Sequence, residues 1–148
     1  MTRVKICGIR TFEAAEAATD AGAEYLGFNF VPESKRYIRT EDAGVIIEIL
    51  RRKKAPLMVG VFQNAPISRV NEYAEDLGLD FVQLHGAEDA AYIQKIHVPV
   101  IKSFTLSDNP EKIEVAYLLL DRPEQGKGTM VNMDTARELA ALYPLFLA

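Results

Sequence analysis

The chain has no tryptophan, one cysteine and two histidines in 148 residues. A single cysteine excludes an intramolecular disulfide and fits a reducing compartment. His85 and His97 stand apart in no ligand spacing, so a metal centre has little support. No run approaches the roughly 18 apolar residues of a membrane span, and the first residues show no apolar signal-peptide core. Positive charge is not in excess. The net charge is −4 and the pI near 5.2, which argues against a nucleic-acid or other polyanionic partner. The one basic run, Arg51-Arg52-Lys53-Lys54, follows an apolar helical pattern and complements the negative end of that helix. Cys7-Gly8-Ile9-Arg10 is no G-x-G-x-x-G, which disfavours dinucleotide binding, and neither G-x-S-x-G nor Walker A appears. These absences lead to the expectation of a soluble, cytoplasmic protein with a small-molecule ligand.

Hydrophobic content of 49% and charged content of 26% are ordinary for a globular chain. The length suits one domain over residues 1–148 with a sizeable core. Short, nearly continuous apolar runs recur, as expected for strands buried on both faces of a parallel sheet. They are Arg3–Cys7, Tyr25–Phe30, Leu57–Phe62, Phe81–Leu84, Val98–Lys102, Ala116–Leu120 and Pro144–Ala148. Helix punctuation lies between them. Thr40 is placed to cap a helix whose first turn holds Glu41 and Asp42 and whose apolar face is Ile46, Ile47 and Leu50. Pro66 suits the start of the next helix and Gly78 its end. Ala87–Ile96 and Asp134–Leu142 read as helices, whereas Ser107–Glu114 is short and polar, with little or no helix expected. Strand starts recur roughly every 23 residues. That rhythm fits an open doubly wound sheet or a (β/α)8 barrel. A barrel at this spacing would need roughly 190 residues, and the chain stops at its seventh strand.

Chemistry in α/β folds is done at the C-terminal ends of the strands, and almost every strand here ends in a polar group. Strand 1 ends in Cys7, and strand 2 in Asn29, with Arg36 in the loop that follows. Strand 3 offers Gln63 and Asn64, strand 4 Gln83 and His85, strand 5 Lys102 and Ser103, and strand 6 Asp121. Each has an ordinary alternative. Cys7 would also serve as an inert buried thiol, Asp121 as a turn residue and His85 as a satisfied buried imidazole. Arg36 would also serve as a surface charge. Lys102 reads as a stem snorkelling from a strand end or as a Schiff-base lysine. The residues by themselves indicate a small-molecule barrel in which a thiol and a carboxyl face each other.

Six motifs together resemble the phosphoribosylanthranilate isomerases. They are Lys5-Ile6-Cys7-Gly8-Ile9, Gly27-Phe28-Asn29-Phe30, Ser34-Lys35-Arg36-Tyr37-Ile38, Val59-Gly60-Val61-Phe62-Gln63-Asn64, Val82-Gln83-Leu84-His85-Gly86 and Leu119-Leu120-Asp121. The resemblance covers almost the whole chain in order. It implies a (β/α)8 barrel acting in tryptophan biosynthesis without cofactor or metal, as an isomerase of the aldose–ketose type. The reaction would be the Amadori rearrangement of N-(5′-phosphoribosyl)anthranilate, a small phosphorylated substrate. An acid protonates the ribose ring oxygen so that the furanose opens to a Schiff base. A base then removes the C2′ proton to give an enolamine, which ketonises. By matching position, Cys7 would be the general base, acting as thiolate, and Asp121 the general acid, holding its proton near neutrality. Arg36 would hold the anthranilate carboxylate, and Gln83 and His85 would line the pocket near the reacting sugar.

The chain departs from the family pattern twice. The family's loop after strand 6 reads Gly-x-Gly-Lys-x-Phe-Asp-Trp. Here Gly126 and Gly128 match, but Thr129, Asn132 and Met133 stand at the lysine, aspartate and tryptophan positions. The family also continues past the position of Ala148 into helix 7, strand 8 and helix 8, and holds the substrate phosphate on the loops after strands 7 and 8. The expectation is therefore strands 1–7 only, with strands 1 and 7 as unpaired edges. A homo-oligomer or a complementing chain would cover such edges, and little activity is expected of the 148 residues by themselves. The alternative is a non-catalytic barrel fragment or scaffold without the phosphate site.

Overall fold

Seven parallel strands lie side by side in chain order. They are β1 (Lys5–Cys7), β2 (Tyr25–Asn29), β3 (Leu57–Phe62), β4 (Phe81–Leu84), β5 (Val100–Phe104), β6 (Tyr117–Leu120) and β7 (Leu145–Leu147). Helices α1 (Phe12–Asp20), α2 (Thr40–Arg51), α3 (Ile67–Asp76) and α4 (Ala90–Ile93) alternate with the first five strands. The computed structural model describes residues 3–53, 56–104, 113–121, 137 and 140–148. The stretch 129–133 and most of 107–114 lie outside the described residues. The expected helix over Asp134–Leu142 is helical at each of its described positions, 137 and 140–142.

The sheet is rolled. At about 4.8 Å per strand, a flat sheet would hold β2 and β6 about 19 Å apart. Instead the rings of Tyr25 and Tyr117 meet edge-on with centroids 6.3 Å apart, and Tyr25 meets Phe146 of β7 at 5.3 Å. Tyr25, Val59, Ile101 and Leu119 form the inner core, with Phe81, Tyr117 and Phe146 packed against it. The alternate residues Leu26, Phe28, Met58, Phe62, Val82 and Leu84 face outward and join a second core with the helices, including Ile46, Ile47, Val70 and Ala74. Burial on both faces explains the continuous apolar runs. Among the described residues no pairing joins β7 to β1. Val4, Ile6 and Leu147 on these two strands are exposed at 47%, 41% and 57%.

Local chemistry explains where elements differ from the sequence reading. Strand β5 starts two residues later than expected. Pro99 has no N–H to give the ladder, and only its carbonyl is used, accepting from Val82 N at 3.1 Å. Thr40 is the first helical residue and not the cap; Arg39 holds the cap position without a side-chain cap bond. Its guanidinium forks onto Asp42 at 2.8 and 2.9 Å instead. Helix α4 is shorter than Ala87–Ile96 because Asp89 starts it, accepting from Tyr92 N at 2.7 Å. Gly78 takes the left-handed position after α3, with φ of 57°.

Candidate active site

Parity along the strands decides which polar groups meet. Residues paired in register point to the same side of a parallel sheet. Cys7 pairs with Gly27, Val61 with Gln83 and Gln83 with Ile101, all on the inner face. Cys7, Arg36, Gln83, His85 and Asp121 line one cavity of about 660 Å³, which runs beside β1, β6 and β7 from Arg3 and Tyr117 up to these strand ends. A second cavity of about 390 Å³ shares Cys7, Arg36, Gln83 and His85 with it and adds Asn29, Ser34 and Gln63. All five residues expected from the sequence are thus brought together.

Glycines make the room. A Cβ on Gly27 would stand 2.8 Å from Cys7 Sγ, so only glycine lets the thiol lie across β2. Gly8 turns the chain out of β1 at φ of 87°, and a Cβ there would meet Arg36 Cδ at 2.6 Å. The Arg36 stem therefore passes directly over the turn that follows Cys7. Its loop is braced by Ser34, whose hydroxyl oxygen accepts from Arg36 N at 3.1 Å and Asn29 Nδ2 at 3.2 Å. The guanidinium makes no hydrogen bond or ion pair among the described residues and is exposed, a planar fork open to a carboxylate.

Opposite Cys7 the polar groups form a chain. His85 Nε2 lies 3.0 Å from Asp121 Oδ2, and Gln83 Nε2 lies 3.3 Å from His85 Nδ1. The buried Gln83 Oε1 has no partner among the described residues. Gln83 as a residue lines both cavities. Arg3 and Lys5 line the opposite end of the larger cavity, where Arg3 is bonded to Tyr25, Tyr117 and Glu24.

A family model described as N-(5′-phosphoribosyl)anthranilate (PRA) isomerase matches residues 4–148. The chain belongs to the phosphoribosylanthranilate isomerase family. It is 46% identical to the isomerase of Desulfitobacterium hafniense (strain Y51) over 112 residues, 74% of this chain and 46% of that one. It is 41% identical to that of Geobacter sp. (strain M21) over 151 residues, 95% of this chain and 72% of that one. The chain thus spans from about half to about three quarters of the length of these relatives. The phosphoribosyl anthranilate isomerase of Thermus thermophilus superposes with a TM-score of 0.87 at 35% identity, covering 99% of this chain and 76% of that one. A phosphoribosyl anthranilate isomerase solved in complex with reduced 1-(o-carboxyphenylamino)-1-deoxyribulose 5-phosphate superposes at 0.84 and 32% identity, covering 99% and 75%. These neighbours identify the rolled sheet as strands 1–7 of a (β/α)8 barrel.

Asn64, Lys102 and Ser103 line neither cavity. The sequence pattern places Lys102 at the end of strand 5. It is an outward residue in the middle of β5, opposite Leu84, and is bound to Glu88 at 3.3 Å. Neither snorkelling nor a Schiff base describes it. Asn64 bends the backbone after β3 at φ of 50°, and its Oδ1 accepts from Ala87 N at 2.8 Å. Sequence reasoning missed Glu88. A glutamate two residues after Gly86 reads as a surface charge, yet it is 7% exposed.

Proposed function

We propose that this chain isomerises N-(5′-phosphoribosyl)anthranilate to 1-(2-carboxyphenylamino)-1-deoxyribulose 5-phosphate. The carrying observation is the thiol of Cys7 and the carboxyl of Asp121 on opposite strands of one cavity, with Arg36 at its rim. Asp121 gives its proton to the ribose ring oxygen. The C1′–O4′ bond breaks, and the nitrogen lone pair forms the C1′=N bond of the Schiff base. Cys7 thiolate takes the C2′ proton, and the electron pair moves through C1′ to nitrogen. The resulting enolamine ketonises, with the carbonyl at C2′ and a new C–H at C1′. Every electron and proton stays within substrate and side chains.

Arg36 holds the anthranilate carboxylate and thereby sets the C2′ proton before the sulfur. Gln83 and His85 line the pocket near the reacting sugar. The reaction belongs to the cytoplasm, where a lone thiol stays reduced. Fluorescence of the anthranilate group in phosphoribosylanthranilate falls on turnover and provides the assay. A protein in which these 148 residues are joined by the elements that close the barrel is expected to show this decay, and Cys7→Ala and Asp121→Ala to abolish it. Turnover that survives both substitutions sinks the assignment of roles. Substrate binding without turnover would favour the scaffold alternative.

A further inference from the structure

Behind the cavity wall lies a buried ion pair that the proposed chemistry does not use. Lys102 and Glu88 have side chains exposed at 7% and 1%. Lys102 Nζ donates to Gly86 O at 2.6 Å, and also reaches Ser103 O at 3.3 Å and Leu84 O at 3.5 Å. Glu88 Oε1 accepts from Asn64 N at 2.7 Å, and Oε2 from Gly86 N at 2.9 Å. The pair therefore grips the backbone on both sides of His85: the carbonyl before it, and both the N–H and the carbonyl of the residue after it. His85 N itself donates to Phe62 O at 2.9 Å. Gly86 must lack a Cβ, which would collide with the Asn64 side chain.

A buried ion pair is seldom more stable than an apolar pair of the same volume, so stability alone is a poor account of it. Geometry offers a better one. We infer that the Glu88–Lys102 pair is a positioning device, clamping the backbone at Leu84–Gly86 so that the His85 ring is held against Asp121. The pair lies on the outer face of the sheet and never touches substrate; it acts through residue 85. The inference deepens the isomerase reading and rests on it only for the kinetic consequence.

The test has an arm that needs no activity. The chain has two histidines, and His97, anchored by its N–H to Asn71 Oδ1 at 3.1 Å, serves as an internal reference. In NMR spectra of the full chain, Lys102→Met is expected to move the ring Cε1–H signal of His85 and leave that of His97 in place. Glu88→Gln, which keeps the side-chain volume, is expected to do the same and decides the matter alone if Lys102→Met does not fold. An unmoved His85 signal in a folded variant overturns the inference. In the kinetic arm, Lys102→Met lowers kcat about tenfold or more, with KM within about twofold, since a small misplacement of a positioned group is costly. In a His85→Asn background the same substitution costs less than about threefold, because the group it positions is gone. Equal losses in both backgrounds assign the pair a merely structural role and overturn the inference. Inactivity of the unsubstituted protein with its barrel closed would count against the isomerase reading, while the NMR arm would still decide the clamp.

Discussion

A Cβ on Gly27 would stand 2.8 Å from the Cys7 sulfur and 3.2 Å from the Cys7 Cα. The position is thus part of the site although it carries no chemistry. Gly27→Ala is expected to fold and to lose about 100-fold in kcat, the scale of a misplaced reacting group; stopped-flow fluorescence on a variant with native circular dichroism checks it. Arg36→Lys keeps the charge and loses the planar fork, so KM should rise about tenfold or more while kcat changes less. Unchanged KM would remove Arg36 from the carboxylate site. Cys7, Arg36, Gln83, His85 and Asp121 were all legible in the sequence, because each closes an apolar run or sits in a motif that the family shares. Glu88 was not. Its burial depends on Lys102, fourteen residues further along the chain but 3.3 Å away in space.

Among the elements, the helices show how far local chemistry reaches. Thr11 Oγ1 accepts from Ala14 N at 3.2 Å and caps α1, the helix that carries the chain from Cys7 back to β2. Thr11→Ala should cost about 1 kcal/mol in urea unfolding. At the head of α2 the Arg39 fork holds the Asp42 carboxyl below the usual carboxylate range, chiefly through its hydrogen bond. A group lowered in the folded state contributes stability that is complete above its unfolded value and is lost as pH falls through its folded one. Asp42→Asn should therefore lower the melting temperature slightly at pH 7, both groups being exposed, and should match the parent near pH 2. A difference that persists at pH 2 would assign the effect to something other than this ion pair. Strand and helix order could be read from apolar runs and punctuation. Boundaries shifted where a single side chain bonded differently from its nearest alternative, as at Arg39, Asp89 and Pro99.

For the molecule as a whole, Tyr25 shows what closes the barrel interior. It is fully buried. Its ring meets Phe81 at 5.9 Å, Tyr117 at 6.3 Å and Phe146 at 5.3 Å, and its hydroxyl accepts from Arg3 at 2.9 Å. Tyr25→Ala removes the ring that links β2 to β4, β6 and β7 and should cost about 3–5 kcal/mol. Tyr25→Phe keeps the rings and should cost about 1 kcal/mol; equal losses in denaturant titration would mean that the hydroxyl, and not the ring, holds the interior. The sequence by itself determined the number and order of the strands, the parallel class of the sheet and the polar group at each strand end. These follow from composition within short windows, where burial on both faces demands apolar runs and loops demand polar punctuation. Only the tertiary structure decided which side each strand-end residue faces. Inward or outward is a matter of register with the neighbouring strand, and one residue of shift reverses it. That register sends Gln83 into the cavity and Lys102, opposite Leu84, to the outer face, where Glu88 meets it.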